Sequence, residues 1–265
     1  MEIRFSHVNS KYFKDLSFVI PKGEIVGIYG NNGDKLLRLI SFDDDSRGII
    51  YFNKIRKLRS NYYLFRNEIV LVEARFNNLF NVDNVYEYFV SYIRYRKIDV
   101  KDTLEKIKGS LKIVGLKQEI LDRRISTLTF SETKLLQFAL AFLSNPKVIL
   151  LDEPFRGLDL KQRKKLIRII NRLKDKFLKT IVIFSNNPNY LYQYTNYLIV
   201  LYDNKVLTSG KTSDIFFDSE EISLHKIKRP DIVDFILLVK EKKNIKLPRR
   251  VDVKDLIKDI YWNVK

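Results

Sequence analysis

Residues 147–159 read KVILLDEPFRGLD, and this stretch decides the fold. Val148, Ile149, Leu150 and Leu151 form a run with no polar interruption, as expected of a strand buried on both faces. Two carboxylates follow at once, Asp152 and Glu153. A buried strand that ends in acids places Asp152 at the carboxyl edge of a sheet. There it could hold a magnesium ion through water, with Glu153 beside it to polarise an attacking water. Four apolar residues and an acid also arise wherever a core strand meets a polar loop. The surrounding residues separate the two readings: from Asn145 to Asp159 the chain follows N-P-x-h-h-h-h-D-E-P-x-x-G-L-D, a pattern too long for that simpler origin.

Working outward, strand signals flank this run on both sides. Ile3 and Phe5 alternate with polar residues. Asp15 to Ile20 leads through Pro21-Lys22-Gly23 into a strand from Glu24 to Tyr29. A glycine-containing loop, Gly30 to Gly33, precedes a short apolar helix from Lys35 to Ile40. Residues 46–58 and 68–72 predict further strands, as does Thr180 to Phe184. Segments 84–96, 101–114 and 131–144 instead carry apolar residues at three- and four-residue spacing, which predicts helices. Lys161 to Lys179 sets Leu166, Ile167, Ile169, Ile170, Leu173 and Phe177 on one helical face with basic residues opposite. Strands alternating with helices imply an α/β protein with a mostly parallel, helix-covered sheet. After about residue 212 the pattern changes to two helices, around Ile232 to Val239 and Val253 to Tyr261, separated by Pro248.

Composition bounds the environment. The 265 residues can bury a full core, and the absence of Cys excludes disulfides and thiolate metal sites. The opening MEIRFSHVNSKYF lacks the apolar core of a signal peptide. Runs such as Tyr197 to Tyr202 and Ile236 to Val239 are far too short to span a bilayer. A cytoplasmic protein is expected unless a partner holds it at a membrane. The formal charge of +17 suits nucleic acid or an anionic membrane leaflet. However, Lys and Arg are spread along the chain with no block interleaved with aromatics, so no nucleic-acid partner is expected.

Three runs then stand in one order and spacing: KDLSFVIPKGEIVGIYGNNG, KVILLDEPFRGLD and DNKVLTSGKTSDIF. In this the chain resembles the ATP-binding subunit of an ABC transporter. Its tail, with Phe216-Phe217, Arg229-Pro230 and KLPRR before a last helix, is similar to the energy-coupling factor (ECF) importers. The resemblance implies a P-loop NTPase (ABC ATPase) fold: a nucleotide-binding domain over residues 1–215, an inserted helical subdomain at about 82–145, and a C-terminal dimerisation appendage over 216–265. It implies ATP and Mg2+ as cofactors, with Asp152 at the metal and Glu153 as the catalytic carboxylate that polarises the attacking water. Gly30, Asn31, Asn32, Gly33 and Lys35 stand at the phosphate loop, and Tyr12 or Phe13 at the base-stacking aromatic. Thr129 and Ser131 fall in the signature loop, and Asp159 also counts among the nucleotide contacts. Ala74 stands at the Q-loop position and Asn186 at the switch histidine.

The motifs depart from the family at several of these positions. A working phosphate loop reads G-x-x-x-x-G-K-[ST], whose backbone N–H groups and helix N-terminus cradle the phosphates. Here Gly30-Asn31-Asn32-Gly33-Asp34-Lys35-Leu36-Leu37 is three residues shorter, lacks the second glycine and the hydroxyl, and places Asp34 where phosphate would sit. In the signature LSGGQ, Leu128-Thr129-Phe130-Ser131-Glu132 keeps a hydroxyl but neither glycine. Glu73-Ala74-Arg75 has no Gln, and Asn186, within Ser185-Asn186-Asn187, cannot shuttle a proton at neutral pH. Family members dimerise head to tail, so damage on both halves would impair both composite sites. The sequence therefore suggests a weakly or non-hydrolytic subunit paired with a second ABC ATPase and a membrane subunit, peripheral on the inner face of the membrane, serving uptake of a vitamin or metal ion. Two alternatives stay open: an active ATPase that tolerates these motifs, and a non-transport relative that binds nucleic acid.

Overall fold

The structure is a computed structural model and describes residues 1–99 and 101–263. Its strands are β1 (Ile3–Asn9), β2 (Leu16–Ile20), β3 (Ile25–Gly30), β4 (Arg47–Phe52), β5 (Ile55–Arg56), β6 (Ile69–Val72), β7 (Val148–Asp152), β8 (Thr180–Phe184), β9 (Tyr197–Tyr202) and β10 (Lys205–Lys211). The helices are α1 (Gly33–Ile40), α2 (Tyr62–Phe65), α3 (Val85–Arg96), α4 (Thr103–Val114), α5 (Phe130–Phe142) and α6 (Leu160–Phe177), then α7 (Pro188–Tyr194), α8 (Thr212–Asp218), α9 (Glu220–Leu224), α10 (Asp231–Lys243) and α11 (Val253–Asn263).

Six strands form the central sheet in the order β10-β9-β3-β8-β7-β6. All neighbours in it are parallel except β10, which returns antiparallel beside β9. The unbroken apolar run of β7 is explained by this position, because its residues alternate between two cores. Val148 and Leu150 face one layer, and Ile149 and Leu151 face the other. The first layer is a separate antiparallel sheet, β2-β1-β4-β5, together with α1. Ile3, Phe5, Leu16, Phe18 and Ile20 point inward from it, and Phe5 stacks on Phe18. The strand alternation predicted this sheet's strands but not their separation from the parallel one. The opposite layer is helical: Phe89 of α3, Leu111 of α4, Phe138 of α5 and Ile170 of α6 pack in one cluster. Phe216, Ile222 and Val233, from α8 to α10, join that same cluster.

Two expectations need correction. The helix α1 begins at Gly33 and not at Lys35, so Asp34 and Lys35 belong to its first turn. On α6 the inward face is narrower than the apolar spacing predicts. Leu166, Ile169, Ile170 and Leu173 are buried, Ile167 is only partly so, and Phe177 is 53% exposed. The helix ends there, with Leu178 in the left-handed conformation, so its last residue falls beyond the layer that covers the others.

The register carries the consequence for function. Ile28 of β3 lies opposite Phe184 of β8, Phe184 lies opposite Asp152 of β7, and Leu151 lies opposite Val72 of β6. Four chain segments far apart in sequence therefore turn at one sheet edge. Because β7 is buried on both faces, Leu150→Ala should cost about 3 kcal/mol of stability through lost burial and a residual cavity. Leu160→Ala, on the 62% exposed start of α6, should stay within about 0.5 kcal/mol. Urea unfolding of the two variants checks the contrast.

Candidate functional site

The turn after β3 is tight. Gly30 has φ +112, and a Cβ there would lie 2.1 Å from the Leu201 carbonyl oxygen, so only glycine fits. Asn31 is exposed. Asn32 takes the left-handed conformation before α1, and its side-chain amide donates to Asn204 Oδ1 at 3.1 Å. Gly33 opens the helix against the ring of Phe184, which occupies the space that any side chain would need. Asp34 thus sits in the first turn, where the unpaired N–H groups and the helix dipole favour an anion. Lys35 Nζ lies 3.0 Å from the Asp34 carboxylate. The hydrogen bond that Lys35 donates to Asp34 holds its ammonium above the ordinary lysine range. Tyr12 places its ring 5.4 Å from the same ammonium, whereas Phe13 is 1% exposed and has no face to offer a base.

The first turn of α1 thus carries a carboxylate and a lysine paired with it, so that this helix start is charge-balanced from within the chain.

The acids stand one strand away. Asp152, at the end of β7, accepts a hydrogen bond from the backbone of Ala74. Burial pushes its carboxyl up, and the charges of Asp34 and Glu153 push the same way. The Ala74 bond and Lys134 oppose them. Glu153 has φ 42, which turns it out of the strand and back toward β8. Its Oε1 accepts from the Asn186 N–H at 2.6 Å and its Oε2 accepts from Ser185 Oγ at 2.9 Å. Asn186 meets it through the backbone, so the side chain at the switch position is not what joins the two. Both carboxylate oxygens of Glu153 are thereby bonded to the turn that follows β8.

Lys134, absent from the expected site residues, is 2% exposed and belongs to α5. Its Nζ donates to the carbonyls of Glu73 at 3.2 Å and Ala74 at 2.9 Å. Gln137, one turn on, donates to the carbonyls of Glu73 and Arg75. The Glu73 side chain pairs with Arg38 of α1 at 2.7 Å. The segment after β6 is thus fastened to α5 and α1 by side chains. The signal available in sequence was a single Lys inside the apolar helix KLLQFALAF. Burial lowers the Lys134 pKa to about 8, against the nearby charges of Asp152 and Glu153, which raise it.

The remaining positions form a second group. Thr129 caps α5 by accepting from the Glu132 N–H, and Glu132 answers by accepting from the Thr129 N–H at 2.8 Å. This reciprocal pair is a capping box, T-x-x-E, at the residues that the resemblance assigns to the signature loop. It holds the Glu132 carboxyl below its usual range, aided by Arg123 at 2.6 Å. Asp159 and Gln162 form the same arrangement at the start of α6. Ser131 and Asp159 share the wall of a groove between the two helices. Phe130 lies against Gly157, where a Cβ would meet its ring at 2.7 Å. The structure thus gathers Gly30 to Lys35, Tyr12, Ala74, Asp152, Glu153 and Asn186 at the sheet edge, and Thr129, Ser131 and Asp159 at the two helix starts.

Known proteins resemble the chain in sequence and in fold. The ABC transporter family model matches residues 13–156. A putative ABC transporter ATP-binding protein of Clostridium perfringens is 27% identical over 90% of this chain and 43% of its own length. The energy-coupling factor transporter ATP-binding protein EcfA3 of Oenococcus oeni is 25% identical over 96% of this chain and 93% of its own. The chain thus spans less than half of the first relative and nearly all of the second. Among solved structures, the dimeric ATP-binding cassette MJ0796 bound to ADP and Pi superposes with a TM-score of 0.71 at 21% identity, covering 79% of this chain and 98% of that one. The cbiO1 structure from Clostridium perfringens, part of the ABC transporter complex cbiONQ, gives a TM-score of 0.71 at 20% identity over 89% and 98%. The fold is that of ABC ATPase cassettes.

The buried ammonium of Lys134 makes a pH prediction. Its folded pKa lies below the unfolded value, so the unfolded chain binds more protons between about pH 8 and 10.5. Stability from this group is therefore lowest below pH 8 and is recovered as pH rises through that window. Relative to Lys134→Met, the native protein should gain on the order of 2–3 kcal/mol between pH 7 and pH 10. Denaturant melts of both proteins across that range read the difference, in which the other titrating groups cancel.

Proposed function

Because the chain belongs to the ABC transporter family, we propose that it is an ATP-binding subunit with a degenerate phosphate site, the weakly or non-hydrolytic member of a heterodimer in an ECF-type importer. The observation that carries this reading is the Asp34 carboxylate in the first turn of α1, 3.0 Å from the Lys35 ammonium. That pair sets a carboxylate of the chain itself against the cation that a phosphate loop reserves for its ligand. The other half of a head-to-tail composite site would come from the signature segment. There the Thr129–Glu132 capping pair is satisfied internally, and Phe130 covers Gly157. A homodimer would place two such halves together, which favours a partner ATPase with intact motifs.

The ECF assignment draws support from the tail of the sequence and from the Oenococcus oeni relative, matched over nearly its full length. On this reading residues 216–265 contribute to dimerisation. Residues 82–145 dock on a membrane subunit, which selects the cargo, a small nutrient such as a vitamin or metal ion. The chain would then sit on the inner face of the membrane through its partners. Among the described residues no helix is long and apolar enough to cross a membrane. ATP and magnesium would bind weakly, with Tyr12 beside the base, Asp152 nearest the metal and Asp159 at the dimer seam.

ATP hydrolysis by the isolated chain, and then by its complex with the partner ATPase, tests the proposal. The isolated chain should run near background, and Glu153→Gln should leave that background unchanged. A phosphate-loop substitution in the partner should abolish turnover by the complex. Robust turnover by the isolated chain, lost in Glu153→Gln, would overturn the degenerate assignment. In a calorimetric titration, Asp34→Asn should tighten Mg-ATP binding by the isolated chain roughly tenfold, because one like charge is removed from the start of α1.

A further inference from the structure

A pocket of about 290 Å³ opens between the ends of α4 and α6 and the start of β7. It lies at the amino-terminal edge of the sheet, a strand length from Asp152, and so is separate from the nucleotide edge. Its floor is apolar, built from Phe142, Ile149, Ile169 and Leu173, with the half-exposed Phe177 at the wall. Phe177 is the residue that the apolar spacing of α6 assigns to the core and the fold leaves uncovered.

Five cations line the same pocket: Lys112, Lys165, Arg168, Arg172 and Lys179. None of the described lining residues is acidic, and none of the five cations makes an ion pair among the described residues. Helix ends account for part of this charge, since a cation near the end of α4, such as Lys112, complements the helix dipole. They do not account for Arg168, in mid-helix, or for Lys179. Lys179 is 9% exposed, and its Nζ donates only to the carbonyl and side chain of Asn145 at 3.1 and 2.7 Å. Desolvation lowers its pKa, opposed in part by the charge of Glu68, which itself pairs with Lys147. The Gly115 carbonyl at the end of α4, which would repel an anion, is covered by Lys165 Nζ at 3.1 Å.

We propose that this pocket binds a small amphipathic anion, an aliphatic chain ending in a carboxylate. The chain lies on the apolar floor and the carboxylate among the cations. The volume falls at the lower end of small-molecule sites, enough for a medium-length chain but too short for the several turns of a docked helix. Charge complementarity selects the head group, and the uncovered Phe177 selects an apolar body.

Calorimetric titration of the full chain tests this, using sodium decanoate below its micellar concentration, with decanol and decylammonium as controls. Decanoate should bind saturably at one site, decanol roughly tenfold more weakly, and decylammonium not at all. The affinity for decanoate should fall with added salt. Arg168→Glu with Arg172→Glu, both on exposed positions, should weaken decanoate roughly tenfold at an unchanged melting temperature. Should that variant melt early, Arg168→Gln with Arg172→Gln serves in its place and should show the same direction of change. Equal affinity for decanoate and decanol, or an unaffected charge variant, would overturn the proposal. So would binding to phosphatidylglycerol vesicles in the absence of binding to monomeric decanoate, which would mark a membrane contact instead.

Discussion

The parallel register of β3, β8, β7 and β6 is the constraint on which the rest depends. Each of these strands is bonded to its neighbours along its length and carries buried residues. A slip of one residue would exchange the two faces and drive each side chain into the wrong core. The register is therefore fixed by packing, and with it the coincidence of four turns at one edge. Chemistry at that edge is inherited from the sheet and does not have to be assembled by the loops.

At that edge the chain repeatedly satisfies its own polar groups. Asp34 takes the Lys35 ammonium, Glu153 takes two donors from the end of β8, and Lys134 takes two carbonyls after β6. Each arrangement is locally favourable, because a buried or half-buried polar group is costly when unpaired. On the degenerate reading proposed above, they leave few free donors for a ligand rich in negative charge.

Much of the fold was legible because its signals are short-range. The runs Val148 to Leu151 and Thr180 to Phe184 are long enough and apolar enough to name buried strands unaided. The capping pairs Thr129–Glu132 and Asp159–Gln162 mark helix starts in four residues each. What stayed hidden depends on distance in space. The antiparallel sheet is separated from the parallel one by its pairing partners, which no local pattern states. Lys134 reads as an interruption in an apolar helix until the carbonyls of Glu73 and Ala74 are seen above it. The cations around Lys179 look evenly dispersed along the chain because α4, α6 and the segment beyond α6 supply them separately. The burial of Phe13 beside a partly exposed Tyr12 likewise waited on the fold, because two adjacent aromatics do not reveal it.

The two-residue link between β3 and α1 also has an evolutionary meaning. A lost hydroxyl or glycine can return by a single substitution, whereas backbone length can return only by insertion. Here the insertion would have to enter between a glycine wedged against Leu201 and another packed under Phe184. The length of this turn is therefore harder to change than its charge: point changes can retune the charges around the edge, but they cannot lengthen the backbone between β3 and α1.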